Sequence, residues 1–468
     1  MISESTPACP RQTLKEQLRL FAFEDVLLPP SEVLSQCLLE LSKRERLAAL
    51  LEGELNFHGE KNGYASHDLH SFAAKFPPQL PRAFIRGLSN PGDVVLDPMM
   101  GSGTTVVEAS QEKRQAIGID IDPLALRLGR AKTMANDLFT IRDSWNKVIK
   151  KAIELLSQKE RIEQYLSQFF DDRTKSFVDY WFLPETQREL MALAMAIQEI
   201  TDKPSRHFLE LIFSSIIITK SGGVSKARDL AHSRPHLDPT KTPKNALEQF
   251  SIRMRKNLNN LEEMETIGKS TKVIAGDARS MPIANEAVDL IVTSPPYANA
   301  IDYMRAHKFS LVWFGKSISD LSKLRAEYIG SERIGQIPCV ALPDRPQRIL
   351  QRLQELDHKK SEILRKYFIE MKAILSEMFR VLRKNSAAIV VVGTSVMRNL
   401  DVQTHDGLAD IAASLGFDVV GVKQRILDRN RRMMPARFGK KSDSMIEQRM
   451  HEEYVIGLLK PGSTEISA

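Results

Sequence analysis

The stretch Val94-Val95-Leu96-Asp97-Pro98-Met99-Met100-Gly101-Ser102-Gly103-Thr104-Thr105 decides how this chain folds. An apolar run ends in an acid, passes through a Gly-x-Gly loop and continues as Val106-Val107-Glu108-Ala109, which reads as the start of a helix. Glycines there let a ligand approach the backbone, and the helix start aims free N–H groups at it. A second apolar run, Ala116-Ile117-Gly118-Ile119-Asp120, ends in another acid about twenty residues after the glycines begin. In a doubly wound nucleotide site an acid at that separation accepts hydrogen bonds from ribose hydroxyls. The loop lacks a Gly-Lys-Ser/Thr ending, which disfavours a phosphate-cradling ATPase loop, and its glycine spacing falls short of the dinucleotide fingerprint.

Working outward, Val288-Asp289-Leu290-Ile291-Val292 runs into Thr293-Ser294-Pro295-Pro296-Tyr297. The prolines restrict φ and stiffen the elbow, the Ser294 hydroxyl can accept a hydrogen bond, and Tyr297 offers a flat face for stacking. Such an elbow suits a planar ring bearing an amine. Alone, the same five residues also suit a proline turn that closes a strand.

Together, Asp97-Pro98-Met99-Met100-Gly101-Ser102-Gly103-Thr104-Thr105 and Ser294-Pro295-Pro296-Tyr297 resemble the S-adenosylmethionine-dependent DNA amino-methyltransferases. Serine at the head of the elbow is similar to the cytosine-N4 branch; the adenine-N6 branch usually carries Asp or Asn there. His70-Ser71-Phe72-Ala73-Ala74-Lys75-Phe76-Pro77 resembles the family segment that contacts the methionine part of the cofactor, and Val273-Ile274-Ala275-Gly276-Asp277 the strand whose acid accepts from the cofactor's adenine amine. The resemblance implies that Lys75, Asp97, Pro98, Gly101, Gly103, Thr104, Asp120 and Asp277 hold S-adenosylmethionine. It assigns amine capture to Ser294, Pro295, Pro296 and Tyr297. It covers roughly residues 67–130 and 270–315; the long segment between them departs from the family's common layouts.

The expected architecture is a Rossmann-like α/β domain, a mostly parallel doubly wound sheet with one reversed edge strand, plus a helical insertion. The chain divides into an N-terminal helical region (1–65), a cofactor-binding half (66–130), a helical insertion that contacts DNA or a partner (131–268), and a catalytic half with a basic terminal hairpin loop (269–468). One long helix is expected from Arg345 to Val381, and an antiparallel pair from Phe417–Lys423 and Tyr454–Leu459.

Composition agrees with an enzyme acting on a polyanion. The 468 residues are 42% hydrophobic, enough for a sizeable core, and carry a formal charge of +7. Cys9, Cys37 and Cys339 are scattered without metal spacing, which argues against zinc and disulfides and suits a reducing compartment. No apolar run approaches spanning length, and the start lacks a secretory pattern, so the expected location is cytoplasmic.

Two segments concentrate base. Residues 219–236 mix Lys220, Lys226, Arg228 and Arg234 with small and turn-forming residues, and suit either a phosphate backbone or a solvated loop. The terminal loop carries Lys423, Arg425, Arg429, Arg431, Arg432, Arg437, Lys440 and Lys441 beside Met433, Met434 and Phe438, a density that favours nucleic-acid contact. Arg228, Arg234, Arg425, Arg429, Arg431 and Arg432 are therefore the expected DNA contacts. Double-stranded DNA is the expected substrate, with the base flipped out to reach the amine. A partner nuclease in a restriction-modification system is a further expectation, and no metal is expected. Adenine-N6 methylation is the nearest alternative, followed by an RNA amino-methyltransferase. His307 reads as a structural histidine, and Trp313 and Phe314 as core.

Overall fold

Strand character follows from where apolar residues concentrate. Among the described residues seven strands make one sheet: β1 (Val94–Asp97), β2 (Gln115–Asp120), β3 (Thr271–Ala275), β4 (Val288–Thr293), β5 (Leu382–Gly393), β6 (Asp418–Ile426) and β7 (Glu452–Lys460). Their spatial order is β6-β7-β5-β4-β1-β2-β3. The computed structural model describes residues 11–23, 40–72, 75–133, 137–219, 223–228, 230, 235–262, 270–298, 302–333, 338–393, 395–427 and 452–462.

Strands β1 to β5 pair in parallel, with Val95 opposite Leu290 and Leu96 opposite Ile291 where β1 meets β4. β4 is buried along its whole length, as a central parallel strand covered on both faces must be. The reversed strand is not at the edge. β7 runs antiparallel to both β5 and β6 and lies between them. Burial explains the placement: Val455, Ile456, Leu458 and Leu459 of β7 are all buried, whereas β6 buries only Arg425 and can tolerate the rim.

Alternation along the strands builds two apolar layers. Leu96, Ile119, Ile291, Val390 and Ile456 face one side, where they share a core with helix His358–Val381 and helix Thr404–Ser414. Val95, Leu290, Val292, Val391 and Val455 face the other, against helices Arg11–Phe23, Lys43–Leu51 and Gln79–Leu88. The N-terminal helices thus cover one face of the sheet. This three-layer, mostly parallel arrangement is the Rossmann-like fold expected from the sequence.

A third core belongs to the helical segment. Val148, Leu190, Phe208, Phe213 and Phe250 pack together, and Met304, Phe309 and Trp313 join them from beyond the elbow. The packing of the insertion therefore continues past its expected end at 268. Trp313 is fully buried, as expected. The helix expected over 345–381 is two helices, Asp344–Leu356 and His358–Val381. Asp357 breaks it: with φ at −162° it leaves helical geometry, and its carboxylate caps the second helix by accepting from the Lys360 N–H at 3.0 Å. Among the described residues no helix is long and apolar enough to cross a membrane, and no three metal-ligating side chains gather.

Candidate active site

The two motifs meet because their strands are neighbours. β1 delivers Asp97 and β4 delivers Thr293 at the same end of the sheet, and the Thr293 hydroxyl donates to Asp97 Oδ1 at 2.7 Å. The Met99 N–H donates to the same oxygen at 3.2 Å. Burial pushes the Asp97 carboxyl up to about 6, against the pull of these hydrogen bonds. Asp97 is thereby a brace between the glycine loop and the elbow.

Behind Asp97 the loop turns through left-handed backbone at Gly101 (φ 51°) and Gly103 (φ 81°), a conformation that side chains disfavour. Gly103 caps helix Thr104–Gln111, and Thr104, the first residue of that helix, bonds through its hydroxyl to Ser102 at 3.0 Å. The loop is held from both sides. Asp120, at the end of β2, accepts from the Gly101 N–H at 2.7 Å and from the Asp122 N–H at 2.8 Å. From below, the buried Lys132 ammonium donates to the Ser102 carbonyl at 2.8 Å. Burial, reinforced by the nearby Lys75, drives the Lys132 ammonium well below the usual lysine range. Burial and then the charge of Asp122 push Asp120 up to about 7.

A second layer supports that end of the sheet. Phe72 stacks on Tyr303 with ring centroids 5.4 Å apart and touches His307 at 5.2 Å. A Cβ on Gly101 would stand 3.5 Å from Phe72, so the aromatic cluster adjoins the glycine loop. The buried His307 bonds through Nδ1 to Asp122 Oδ2 at 2.5 Å, which gives it the structural role expected of it. Lys75 donates to the His67 carbonyl at 2.9 Å, and the His67 ring bonds to the buried Glu108 at 2.6 Å. The histidines at 67, 70 and 307 thus tie the segment ahead of the glycine loop, or the helix after the elbow, to their neighbours.

Asp277 is more heavily engaged than its motif suggests. Its carboxylate accepts from the Arg279 backbone N–H at 2.9 Å and from the Arg279 guanidinium at 2.6 to 3.0 Å. Burial alone would raise its carboxyl, but the Arg279 hydrogen bonds outweigh this and hold it below the ordinary aspartate value. Any adenine amine there shares the acid with Arg279.

At the elbow, Ser294 is partly exposed and Pro295 buried. The Tyr297 hydroxyl donates to Glu453 Oε1 at 2.7 Å, and Glu453 Oε2 accepts from Arg425 Nη1 at 2.8 Å. Its ring lies on Gly393, where a Cβ would come within 2.5 Å of the ring carbon Cε2. Burial, then the Glu453 charge, holds the phenol protonated far above the usual tyrosine range. Tyr297 is fixed at both its ring and its hydroxyl.

This network corrects one expectation. Arg425 is 2% exposed and spends its charge on Glu453 inside the sheet edge, so it is a structural ion pair rather than a DNA contact. Arg228 is exposed but ion-paired with Asp238. Arg234, Arg429, Arg431 and Arg432 lie outside the described residues. Glu453, Gly393, Asp122 and Lys132 do not stand out in the sequence as site residues. Asp122 carried a signal in its Asp-x-Asp spacing from Asp120, and Glu453 in being an acid that opens an apolar strand.

Comparison with known proteins agrees with this geometry. A family model described as DNA methylase, N6_N4_Mtase, matches residues 44–130. The Type II methyltransferase M.MjaII of Methanocaldococcus jannaschii is 25% identical over 355 residues, 58% of this chain and 66% of that protein. M.MvaI of Kocuria varians is 22% identical over 374 residues, 75% of this chain and 81% of that protein. M.AvaI of Nostoc sp. is 24% identical over 362 residues, 69% of this chain and 73% of that protein. With the glycine loop and the Ser-Pro-Pro-Tyr elbow braced on adjacent strands, the chain is similar to these Type II methyltransferases and, over residues 44–130, to the DNA methylase family.

Proposed function

We propose that this chain methylates the exocyclic N4 amine of cytosine in DNA, with S-adenosylmethionine as methyl donor. The observation that carries the reading is the 2.7 Å bond between Thr293 and Asp97, which unites a cofactor-type glycine loop with an amine-gripping elbow. The match to a DNA methylase family model over residues 44–130, together with the similarity to Type II methyltransferases, supports DNA as the substrate class, and a cognate nuclease is part of the same proposal.

The residues present fit the cofactor. Gly101 and Gly103 keep the loop free of side chains, the start of helix Thr104–Gln111 supplies free N–H groups, and Asp120 retains lone pairs for ribose hydroxyls. Lys75, Asp97, Pro98 and Thr104 frame the same loop, and Asp277 takes the adenine amine alongside Arg279. When bound, the cofactor supplies an already activated sulfonium methyl.

The protein's own task is alignment. A cytosine amine is a weak nucleophile because its lone pair is delocalised into the ring. The Ser294 hydroxyl and the Pro295 carbonyl accept its N–H hydrogens and favour a more pyramidal nitrogen, while Pro296 stiffens the turn. Tyr297, anchored by Glu453 and Gly393, gives the flipped base a fixed ring to stack on. Such orientation is worth several kcal/mol. The chemistry needs no covalent enzyme intermediate.

Ser294→Ala removes one acceptor without touching the cofactor side. It should lower the single-turnover methylation rate on the order of 10²-fold at unchanged methyl-donor affinity; a rate near wild type would remove Ser294 from the mechanism.

A further inference from the structure

The helix that follows the elbow, Met304–Leu311, has two different faces. Tyr303 and His307 point to Phe72 and the glycine loop, while Arg305 and Lys308 line a pocket of about 180 Å³ on another side. The pocket is closed by Arg325 from helix Ile318–Glu327, by Arg333, and by Arg173 from the first turn of helix Asp172–Trp181 in the insertion. The two helices are stapled together, the Ile318 N–H donating to the Thr174 hydroxyl at 3.0 Å.

Five cations therefore converge where no acid lines the wall. Asp302 pairs with Arg305 at 2.9 Å and with Arg325, and its charge also reaches Lys308, so one carboxylate serves three of the five cations. Asp171 acts chiefly as the cap of the Thr174 N–H, at 2.7 Å, and only secondarily on the charge of Arg173. Arg333 is oriented by the Ser322 carbonyl and hydroxyl, both at 3.0 Å, with no carboxylate partner among the described residues. Lys308 lies over the Phe177 ring at 5.0 Å. Burial, followed by the charge of Arg325, holds the Lys308 ammonium below its ordinary value. Crowded like charges of this kind are relieved by an anion.

We infer that this pocket seats a backbone phosphate of the substrate DNA beside the target nucleotide. The inference rests on DNA being the substrate. A guanidinium presents a planar fork to phosphate oxygens, and Arg173, Arg305, Arg325 and Arg333 supply four such forks around one lysine. Because Arg305 and Lys308 share a helix with His307, and Tyr303 directly precedes it, a phosphate held here is registered against the aromatic cluster that adjoins the glycine loop. The insertion then takes part in substrate positioning by supplying Arg173 to a site whose other walls come from the catalytic half. Phosphate contacts of this type position a duplex without reading its sequence.

The test uses the full chain and a duplex that the wild type methylates. Arg173 and Arg333 are exposed, so R173Q/R333Q should fold normally. The expected result is a rise in duplex Kd of roughly tenfold or more at about 0.15 M salt, and a slope of log K against log salt that falls by about 0.9 for each phosphate no longer neutralised. Methyl-donor Kd should not move, and R173K/R333K should restore the slope because a lysine still neutralises phosphate. If the wild type methylates DNA and the double variant matches it in both Kd and slope, the pocket assignment is wrong and the functional reading survives. If the wild type neither binds nor methylates DNA, both fall together. An inorganic phosphate titration separates the sources: phosphate that protects the pocket without competing with duplex would mark a small-anion site and overturn the inference.

Discussion

Gly393 offers a sharp test of how the elbow is held. Its backbone lies so close to Tyr297 that a Cβ would stand 2.5 Å from Cε2 and 2.7 Å from Cδ2, whereas ordinary contact begins near 3.4 Å. Gly393→Ala must therefore displace the ring by roughly 0.9 Å or move β5 by the same amount. β5 is pinned by its ladder to β4 and β7, so the ring is the part that gives. Its hydroxyl then leaves the 2.7 Å bond to Glu453, and the surface that should stack on the base tilts. A misplacement on the order of 1 Å costs about 10²-fold in rate, and overpacking costs about 1–3 kcal/mol of stability. The assay is single-turnover methylation of a duplex, read beside calorimetric binding of S-adenosylmethionine and a thermal melt. The expected outcome is a rate loss near 10²-fold, donor affinity within about twofold, and a folded protein. Activity within about threefold of wild type, with the alanine in place, would refute the claim that Gly393 and Glu453 set the position of Tyr297.

Two further outcomes follow from the charges. The Asp120 carboxyl, raised to about 7 from 3.8, gives up its proton in the physiological range, so methyl-donor affinity should rise severalfold from about pH 6 to about pH 8 and lose this dependence in Asp120→Asn. The same shift means that the fold favours the neutral acid, so its contribution to stability, fully present below about pH 4, is lost as pH climbs to about 7; a donor-free melt that, relative to Asp120→Asn, strengthens over that range would contradict the assignment. Arg425→Ala should cost about 3–5 kcal/mol in denaturant unfolding by stranding the buried Glu453 carboxylate. Its effect on the salt dependence of DNA binding should be negligible, and a clear drop in that slope would return Arg425 to the interface.

Much of the site was legible because its chemistry is local. Asp97, Gly101, Gly103 and Asp120 sit at strand ends that the apolar pattern marks, and the elbow announces itself by its prolines. What escaped depends on partners far along the chain. Glu453 lies 156 positions from Tyr297, and only the pairing of β7 with β5 and β6 brings it there. Arg425 read as one base in a basic run, yet strand alternation turns its side chain inward while its neighbours stay exposed. The reversed strand looked like an edge because hairpin order is silent on which member of the pair joins the sheet; the apolar burial of β7 decides it. The break at Asp357 was hidden because apolar residues keep helical spacing on both sides of a capping acid.

The central claim is the identity of the methylated atom, and Ser294 alone separates cytosine from adenine. A duplex incubated with the protein and S-adenosylmethionine, digested to nucleosides and analysed by mass spectrometry, tests it directly. The expected product is N4-methylcytosine. N6-methyladenine would contradict the branch assigned from Ser294, and modified nucleosides from RNA but none from DNA would contradict the substrate itself.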